Sequence, residues 1–377
     1  MEDMKRIVSI TFVGHFANDG LMLMLPLLIP FIARDFDLTY TQIGLLGGSL
    51  VLTLGIGQVF TGYLSDFSSV KWPFLFLGLT ILSVSLFAMS FCSSYTCLIV
   101  CNLSAGLGAS FYHPCGVALL VKSMKTQIKG KILGIHGVGG CIGILVYPVL
   151  AGVILSRWGW EHALLLLSPT ALAAAFLFFF TREERFSAKR ERSRLLHKES
   201  VLLICLFGCI AMFFRGLVTF LPVRLTEIGY SAASVTTVVT IFYGTGVIGE
   251  LSAGFLSDMY SRKNMLFTSL LAASIFVAIL FRSVWIFVFP LGFFSYLVWV
   301  PIVAVYVEGV PEAWYGTALG LLQGPAGLMA FLSPMIMGVI AERSGISVSF
   351  LFLSAVALTG SLLALRIRPA DLQRGNP

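Results

Sequence analysis

Apolar residues lie along this chain in long blocks that are separated by short polar stretches. Most blocks reach about 20 residues, the length that an α-helix needs to cross a bilayer. The pattern predicts twelve spanning segments, near residues 7–32, 40–64, 72–91, 95–121, 131–155, 161–180, 200–224, 232–256, 264–282, 284–307, 314–340 and 346–366. We therefore expect an all-α membrane protein with twelve transmembrane helices.

One long polar stretch divides the twelve segments into two sets of six. It carries seven basic side chains, which are Arg182, Arg185, Lys189, Arg190, Arg192, Arg194 and Lys198. We expect residues 1–181 to form an N-terminal six-helix bundle and residues 200–377 to form a C-terminal one. Residues 182–199 would be the basic cytoplasmic linker between them.

The two sets of segments repeat each other in sequence. Gly62–Asp66 reads Gly-Tyr-Leu-Ser-Asp after segment 2, and Gly254–Asp258 reads Gly-Phe-Leu-Ser-Asp after segment 8. Segments 5 and 11 also match, in the pairs Gly130 and Gly316, Gly134 and Gly320, Pro148 and Pro334, Gly152 and Gly338, Arg157 and Arg343, and Gly159 and Gly345. Parallel repeats of six spans are typical of transporters whose site lies between two pseudo-symmetric halves.

The composition excludes an ordinary soluble domain. The chain is 58% hydrophobic and 11% charged, whereas a soluble domain carries roughly 25% charged residues. The net charge of +7 does not indicate nucleic-acid binding, because Lys and Arg gather in short loops. We count 19 on the side of the termini and linker and 5 on the other side. The positive-inside rule then predicts cytoplasmic termini in a protein of the cell membrane.

Neither the first segment nor the cysteines change this interpretation. The first segment is too long for a signal-peptide core and is not followed by an A-x-A site, so we expect it to stay uncleaved. The seven cysteines form no CxxC pair. Cys97 and Cys101 could hold a metal at their i,i+4 spacing, as could Cys205 and Cys209, but buried cysteine more often acts as a small apolar side chain. We expect neither a metal site nor a disulfide framework.

A polar stripe interrupts the first apolar segment. His15, Asn18, Asp19 and Met22 follow the i, i+3, i+4, i+7 spacing of one helix face. A carboxylate in the middle of a membrane costs roughly 2.5–3.5 kcal/mol on insertion scales. We therefore expect Asp19 to have a function or a partner.

Aligning the prolines of segments 1 and 7 assigns Asp19 a counterpart. Pro26 corresponds to Pro222, and Asp19 then falls on Arg215, each seven residues before its proline. One hypothesis is that Asp19 carries protons while Arg215 binds an anionic group of the substrate. The alternative is a permanent ion pair, or two charges that are paired separately for structural reasons.

Two further histidines lie within apolar segments. His113 precedes Pro114, which removes a backbone hydrogen bond. It is a candidate proton relay or substrate contact, because histidine titrates near pH 6.5. The alternative is a neutral histidine bonded to the carbonyl that the proline frees. His136 lies nearer the predicted cytoplasmic end, where it would belong to the inner gate, and the favoured alternative is a structural role.

Several other polar residues are candidates for gating or for lining the cavity. Glu250 lies one helical turn before Gly254, where a carboxylate could pair with a basic residue of a cytoplasmic loop. We group Arg262 with this gate. Tyr112 and Gln323 are candidate cavity residues, although aromatic side chains at helical spacing more often serve packing.

The repeated Gly-x-Leu-x-Asp loops make the chain resemble the major facilitator superfamily over essentially its whole length. The resemblance implies that Asp66 and Asp258 latch the cytoplasmic side. The first copy lacks the usual glycine and paired bases after Asp66, so its latch is expected to be weaker. Within the superfamily, His15-Phe-Ala-Asn-Asp19 and Gly106-Leu-Gly-Ala-Ser-Phe-Tyr-His-Pro114 resemble the fosmidomycin-resistance branch of efflux transporters.

No enzymatic function is indicated, since the chain has no P-loop, HExxH or G-x-S-x-G motif. We predict a secondary transporter that works by alternating access and exports a small polar or anionic compound, or a drug, in exchange for protons. It needs no cofactor and acts as a monomer. Asp19, His113 and His15 would handle protons, and Arg215, Asn18, Tyr112 and Gln323 would contact substrate. The alternatives are proton-coupled uptake of an organic anion and, less favoured, a transporter-like membrane sensor.

Overall fold

The structure is a computed structural model that describes residues 2–122, 129–181, 198–307, 310–311 and 314–367. These residues form helices joined by short connections, and no strand occurs among them. Twelve of the helical stretches are long and apolar enough to cross a membrane. The predicted fold class and the number of spans are confirmed.

The helices follow the predicted segments in order. Their bounds are α1 Glu2–Asp35, α2 Tyr40–Phe67, α3 Trp72–Met89, α4 Tyr95–Ala109, α5 Tyr112–Lys122, α6 Lys129–Trp158, α7 Trp160–Leu167, α8 Pro169–Leu177, α9 Lys198–Glu227, α10 Ala232–Met259, α11 Arg262–Ile279, α12 Val284–Tyr296, α13 Trp299–Val307, α14 Tyr315–Ser344 and α15 Ile346–Ala364.

Three predicted segments are each interrupted, so that α4 with α5, α7 with α8 and α12 with α13 each form one span. The break before α5 lies next to His113, one of the candidate site residues. Pro114 has no N–H to give to the carbonyl of Ser110, four residues earlier. That carbonyl accepts the hydroxyl of Thr61 at 2.8 Å instead. The freed backbone group is thus satisfied from α2.

Contacts within the chain divide it into two compact units. The first comprises Met1–Phe31, Ser49–Ser193 and Pro311–Gly324, and the second comprises Ile32–Gly48, Arg194–Val310 and Pro325–Pro377. Helices α1, α2 and α14 therefore contribute to both units. The predicted halves, residues 1–181 and 200–377, stay a prediction, and most of the linker lies outside the described residues.

Glycines bring α6 against α1 in the first unit. A Cβ on Gly143 would lie 2.1 Å from the carbonyl oxygen of Phe16, and one on Gly139 would lie 2.6 Å from that of Phe12. Real Cβ atoms do not approach backbone so closely, so only glycine permits this packing. The glycine-rich sequence of segment 5 thus places α6 directly beside the polar stripe of α1.

The turn between α3 and α4 holds a disulfide that the cysteine spacing did not indicate. Cys92 is bonded to Cys97, and the sulfur of Cys101 lies 3.8 Å from that of Cys92. The turn after α3 folds Cys92 back onto the first turns of α4, where Cys97 and Cys101 share a face. The expectation of small apolar filler was wrong for Cys97, whereas Cys209 is a buried free thiol.

Candidate functional site

The polar stripe of α1 meets a histidine from α5 in the first unit. Asp19 lies halfway along α1, and its Oδ2 is 3.1 Å from Nε2 of His15. Its Oδ1 is 3.3 Å from Nε2 of His113 and accepts the side-chain amide of Asn18 at 2.8 Å. The costly carboxylate therefore has three polar neighbours. We call Asp19, His15 and His113 the proton cluster.

The contact of His15 with a backbone carbonyl decides how this histidine can meet Asp19. Its Nδ1 lies 2.8 Å from the carbonyl oxygen of His136, and a carbonyl can only accept, so Nδ1 carries a hydrogen. Nε2 then carries a hydrogen only when His15 is cationic. A neutral Nε2 would turn its lone pair toward the carboxylate, so its approach to Asp19 is favourable when either group carries a further proton. The pair can therefore bind a proton at this contact.

The break before α5 explains why His113 can reach Asp19. The carbonyl freed by Pro114 already accepts from Thr61, so it does not need the histidine. Of the two interpretations of His113, the bond to a freed carbonyl is therefore not the one found. Its imidazole turns to Asp19, and 28% of its side chain is exposed, against 17% for Asp19.

Two aromatic rings pack on His15. The imidazole of His136 stacks on it with ring centroids 4.3 Å apart, and the ring of Tyr112 does so at 5.5 Å. The hydroxyl of Tyr112 donates to the carbonyl of Thr11. His136, which the sequence placed at the inner gate, thus lies directly beside the proton cluster. Segment spacing could not reveal this, because it does not tell which face of α6 meets α1.

Gly140 completes the wall behind His15. A Cβ at this position would lie 2.7 Å from Nε2 of His15 and 2.8 Å from its Cε1. Any larger residue would therefore push the imidazole away from its present place. The absence of a side chain at residue 140 is what lets His15 face Asp19 and the carbonyl of His136 together.

The counterpart position lies in the second unit and has a different environment. Arg215 of α9 is 3% exposed, and its Nε donates to the carbonyl oxygen of Gly47 at 2.6 Å. Gly47 packs against Thr219, one turn further along α9, since a Cβ there would lie 2.2 Å from a methyl carbon. Among the residues that the structure describes, Nη2 of Arg215 has no hydrogen-bond partner.

Two other predicted substrate contacts also have unused hydrogen-bonding capacity. The amide oxygens of Asn18 and of Gln323 are buried and meet no partner within the described ranges. Both residues belong to the first unit, on α1 and α14. Buried polar atoms are rarely left unsatisfied. They are therefore candidates for contact with water or substrate.

The predicted latch residue Asp66 lies at the end of α2 and faces the start of α14. It accepts the backbone N–H groups of Gly316 at 3.1 Å and of Thr317 at 2.7 Å, and the Thr317 hydroxyl at 2.6 Å. The first N–H groups of a helix have no partner within it and carry partial positive charge. A carboxylate there holds the two helix ends together.

The second copy of the loop is less completely described. Asp258 lies in the last turn of α10, but its side chain falls outside what the structure describes. Glu250 lies two turns earlier on α10 and is half-buried, and Arg262 begins α11 and is half-buried. Their gating roles stay predictions.

Comparison with known proteins supports the fold and the general class. The family model described as Major Facilitator Superfamily matches residues 10–249 and 203–377. A bacterial homologue of the human lysosomal transporter Spinster, solved in an inward-facing and occupied conformation, has a TM-score of 0.78 over 97% of each chain at 16% identity. That similarity shows the fold.

Curated relatives span almost the whole chain at similar identity. The cis,cis-muconate transport protein of Acinetobacter baylyi is 23% identical, covering 95% of this chain and 92% of its own. The fosmidomycin resistance protein of Escherichia coli is 23% identical, over 94% and 91%. The hexuronate transporter of Bacillus subtilis is 24% identical, over 100% and 99%. The fosmidomycin branch therefore does not stand out among them.

Proposed function

The chain belongs to the Major Facilitator Superfamily and is a transporter of that type rather than an enzyme, and from this premise we propose that it moves a small organic anion in exchange for protons. Asp19, with His15 and His113, would carry the proton. Arg215 would bind the anion. The favoured direction is export.

One observation carries the proton assignment, which is the tautomer that the His136 carbonyl imposes on His15. Because Nδ1 is committed to that carbonyl, the contact of Nε2 with Asp19 at 3.1 Å is favoured by one shared proton. A cluster that can bind one proton in the middle of a spanning helix, with a partly exposed carboxylate, has the chemistry of a proton carrier. The exposed edge of His113 offers a route for that proton.

The buried guanidinium of Arg215 supports an anionic substrate. Burying a charge without a partner is expensive, yet Nη2 of this side chain has none among the described residues. A carboxylate or similar group of a substrate would satisfy it through the planar fork that arginine offers. Muconate and hexuronate, named for two of the relatives, are organic carboxylates.

Uptake together with protons is the second candidate, and the names of these two relatives favour it as much as export. Both candidates need a proton site and an anion site, so the residues do not distinguish them. The excess of basic residues beside the termini supports cytoplasmic termini. The Asp66 contact would then close the cytoplasmic end of α2, and Glu250, Arg262 and Asp258 would act at the same face.

The test is substrate flux into proteoliposomes with an imposed pH gradient of either sign. The purified full-length chain would be offered cis,cis-muconate, glucuronate as a hexuronate, and fosmidomycin, each at equal internal and external pH and then with each gradient. We expect at least one compound to exchange across the membrane. Its net movement should run against the proton gradient for antiport and with it for symport.

Either sign of the response supports proton coupling and assigns the direction. Flux that is the same at both gradients and without one would overturn the proton assignment, while transport as such would stand. Liposomes without protein are the control for leak.

A further inference from the structure

The start of α2 makes a contact that resembles the Asp66 contact but lies at the other end of the helix. Glu342, near the end of α14, accepts the backbone N–H of Thr41 at 3.1 Å and its hydroxyl at 2.7 Å. Both residues belong to the second unit.

The two contacts use the same chemistry at opposite ends of the same two helices. In each, a carboxylate near the end of one helix takes a threonine N–H and the hydroxyl of that threonine in the first turn of the other. The first N–H groups of a helix are unpaired and partly positive, so a carboxylate is stabilised there. Asp66 holds the start of α14, and Glu342 holds the start of α2.

The helix start that Glu342 holds is itself well ordered by local bonds. The hydroxyl of Thr39 accepts the N–H of Gln42, and the side chain of Gln42 accepts the N–H of Thr39, which together form a capping box. This box satisfies two donors and leaves the N–H of Thr41 for Glu342. The capping box therefore presents Thr41 to α14.

Backbone packing brings α14 close enough for this contact. A Cβ on Gly338 would lie 2.4 Å from the carbonyl oxygen of Tyr40, and one on Gly44 would lie 2.2 Å from that of Pro334. The two helices thus touch through backbone along the turn that leads to Glu342. A second set of hydrogen bonds lies beside the start of α2. Tyr40 donates to Glu227, which also accepts from Arg224 at 2.7 Å.

We propose that Glu342 and Thr41 form a latch that closes the end of the transporter opposite Asp66 and must release when that end opens. A transporter with alternating access opens one end at a time by moving one repeat against the other. A bond between α2 and α14 at either end opposes opening there. Glu342 is thus a positioning residue for the transport cycle, and this inference depends on neither the proton nor the anion assignment.

The first test locks the contact covalently. The double variant Thr41→Cys with Glu342→Cys is oxidised in proteoliposomes. We then measure exchange of a compound that the wild type transports, either cis,cis-muconate, glucuronate or fosmidomycin, at equal pH inside and outside. We expect oxidation to reduce exchange at least about tenfold and a reductant to restore it. Each single cysteine variant is the control, and oxidation should leave its exchange rate unchanged. Normal exchange by the fully cross-linked double variant would overturn the proposal of a latch.

The second test weakens the contact without a cross-link and does not need a known substrate. In Glu342→Gln, we expect hydrogen–deuterium exchange of residues 39–45 to rise roughly fivefold, because a bond to a charged acceptor is lost. Residues 62–67, at the Asp66 end, should exchange as in the wild type. Equal acceleration at both ends would mean a general loss of stability and would overturn the proposal, as would no change at either end.

Matched substitutions separate the latch from packing. Thr41→Val has nearly the same shape but no hydroxyl, and it should behave like Glu342→Gln. Thr41→Ser keeps the hydroxyl and should restore wild-type exchange. Glu161→Gln, the same change in the first turn of α7, should leave residues 39–45 unaffected. Failure of serine to rescue, or an equal effect of Glu161→Gln, would count against a specific bond.

Discussion

Asp19 and Arg215 occupy corresponding positions in the two sequence repeats, yet their surroundings differ in kind. Asp19 is flanked by His15 and His113, which can exchange a proton with it, and by the amide of Asn18, which donates a hydrogen bond to it. Within the described ranges, Arg215 donates to one backbone carbonyl, and its Nη2 has no partner. The first position can change its charge, whereas a guanidinium stays charged in proteins.

We propose that this difference separates the roles of the two positions. A site that gains and loses one proton can respond to a proton gradient. A permanent cation with a free hydrogen-bond donor can bind an anion but does not respond to a proton gradient. If this division holds, substitutions at the two positions should damage different properties of transport.

Asp19→Asn should have the largest effect. The amide cannot take up the proton that the carboxylate shares with His15, so accumulation driven by a pH gradient should fall by about 100-fold, given roughly 1.5–3 kcal/mol for each bond to a charged group. Exchange at equal pH should fall far less. Gradient-driven and equal-pH flux in the same proteoliposomes measure this.

Asp35→Asn is the matched control, since it is the same change at the exposed end of the same helix. It should transport normally. If Asp19→Asn kept its response to the gradient, the proton cluster would have no coupling role and the division of labour would fail.

Arg215→Lys should show the opposite pattern. Lysine keeps the charge but loses the planar fork and the bond to the Gly47 carbonyl. We expect the KM for the transported anion to rise about tenfold, which corresponds to roughly 1.4 kcal/mol, while the response to the pH gradient persists. Initial rates over a range of substrate concentrations measure the change.

Arg157→Lys, an exposed position in the last turn of α6, serves as the control and should leave the KM unchanged. A normal KM in Arg215→Lys would remove the anion role and favour a purely structural charge.

Gly140→Ala tests whether the geometry of His15, rather than its mere presence, matters. The added methyl group would meet the imidazole at under 3 Å, and overpacking of this kind costs about 1–3 kcal/mol. We expect gradient-driven transport to fall roughly fivefold with little change in KM. Gly137→Ala lies on the same helix where a Cβ meets nothing within 4 Å, and it should transport as the wild type does. Equal effects of the two substitutions would count against the role of this wall.

His113→Gln should have the smallest effect of the four. Glutamine can still donate to Asp19 but cannot bind a proton, so we expect gradient-driven transport to slow about threefold while exchange at equal pH changes little. His162→Gln, at an exposed position of α7, is the control. An unchanged rate of gradient-driven transport in His113→Gln would leave the proton with His15 and Asp19 alone.

The fold could be predicted from the sequence because the sequence patterns that specify it are local. Bilayer thickness requires long apolar segments, and each of the twelve could be recognised by itself. The breaks within three spans were less visible, although Pro114 marked one of them. The disulfide between Cys92 and Cys97 escaped prediction, because it depends on how the turn after α3 folds back onto α4.

Only part of the candidate site could be predicted from the sequence. The stripe of His15, Asn18 and Asp19 follows from helical periodicity, and Arg215 was found through the proline alignment. That His113 meets Asp19, and that His136 packs on His15, depends on which faces of α5 and α6 turn toward α1. No pattern within one segment contains that information.

Hydrophobicity and spacing act within a single helix. The amino-acid sequence therefore predicts a membrane protein, its number of spans, its internal repeat and the charged residues inside the spans. What those residues contact depends on the tertiary structure. The tautomer of His15 is set by a carbonyl 121 residues away, and the contact of Thr41 with Glu342 joins residues 301 apart. Such partners are chosen by the packing of whole helices, in which glycines such as Gly140 and Gly338 set the distance of approach.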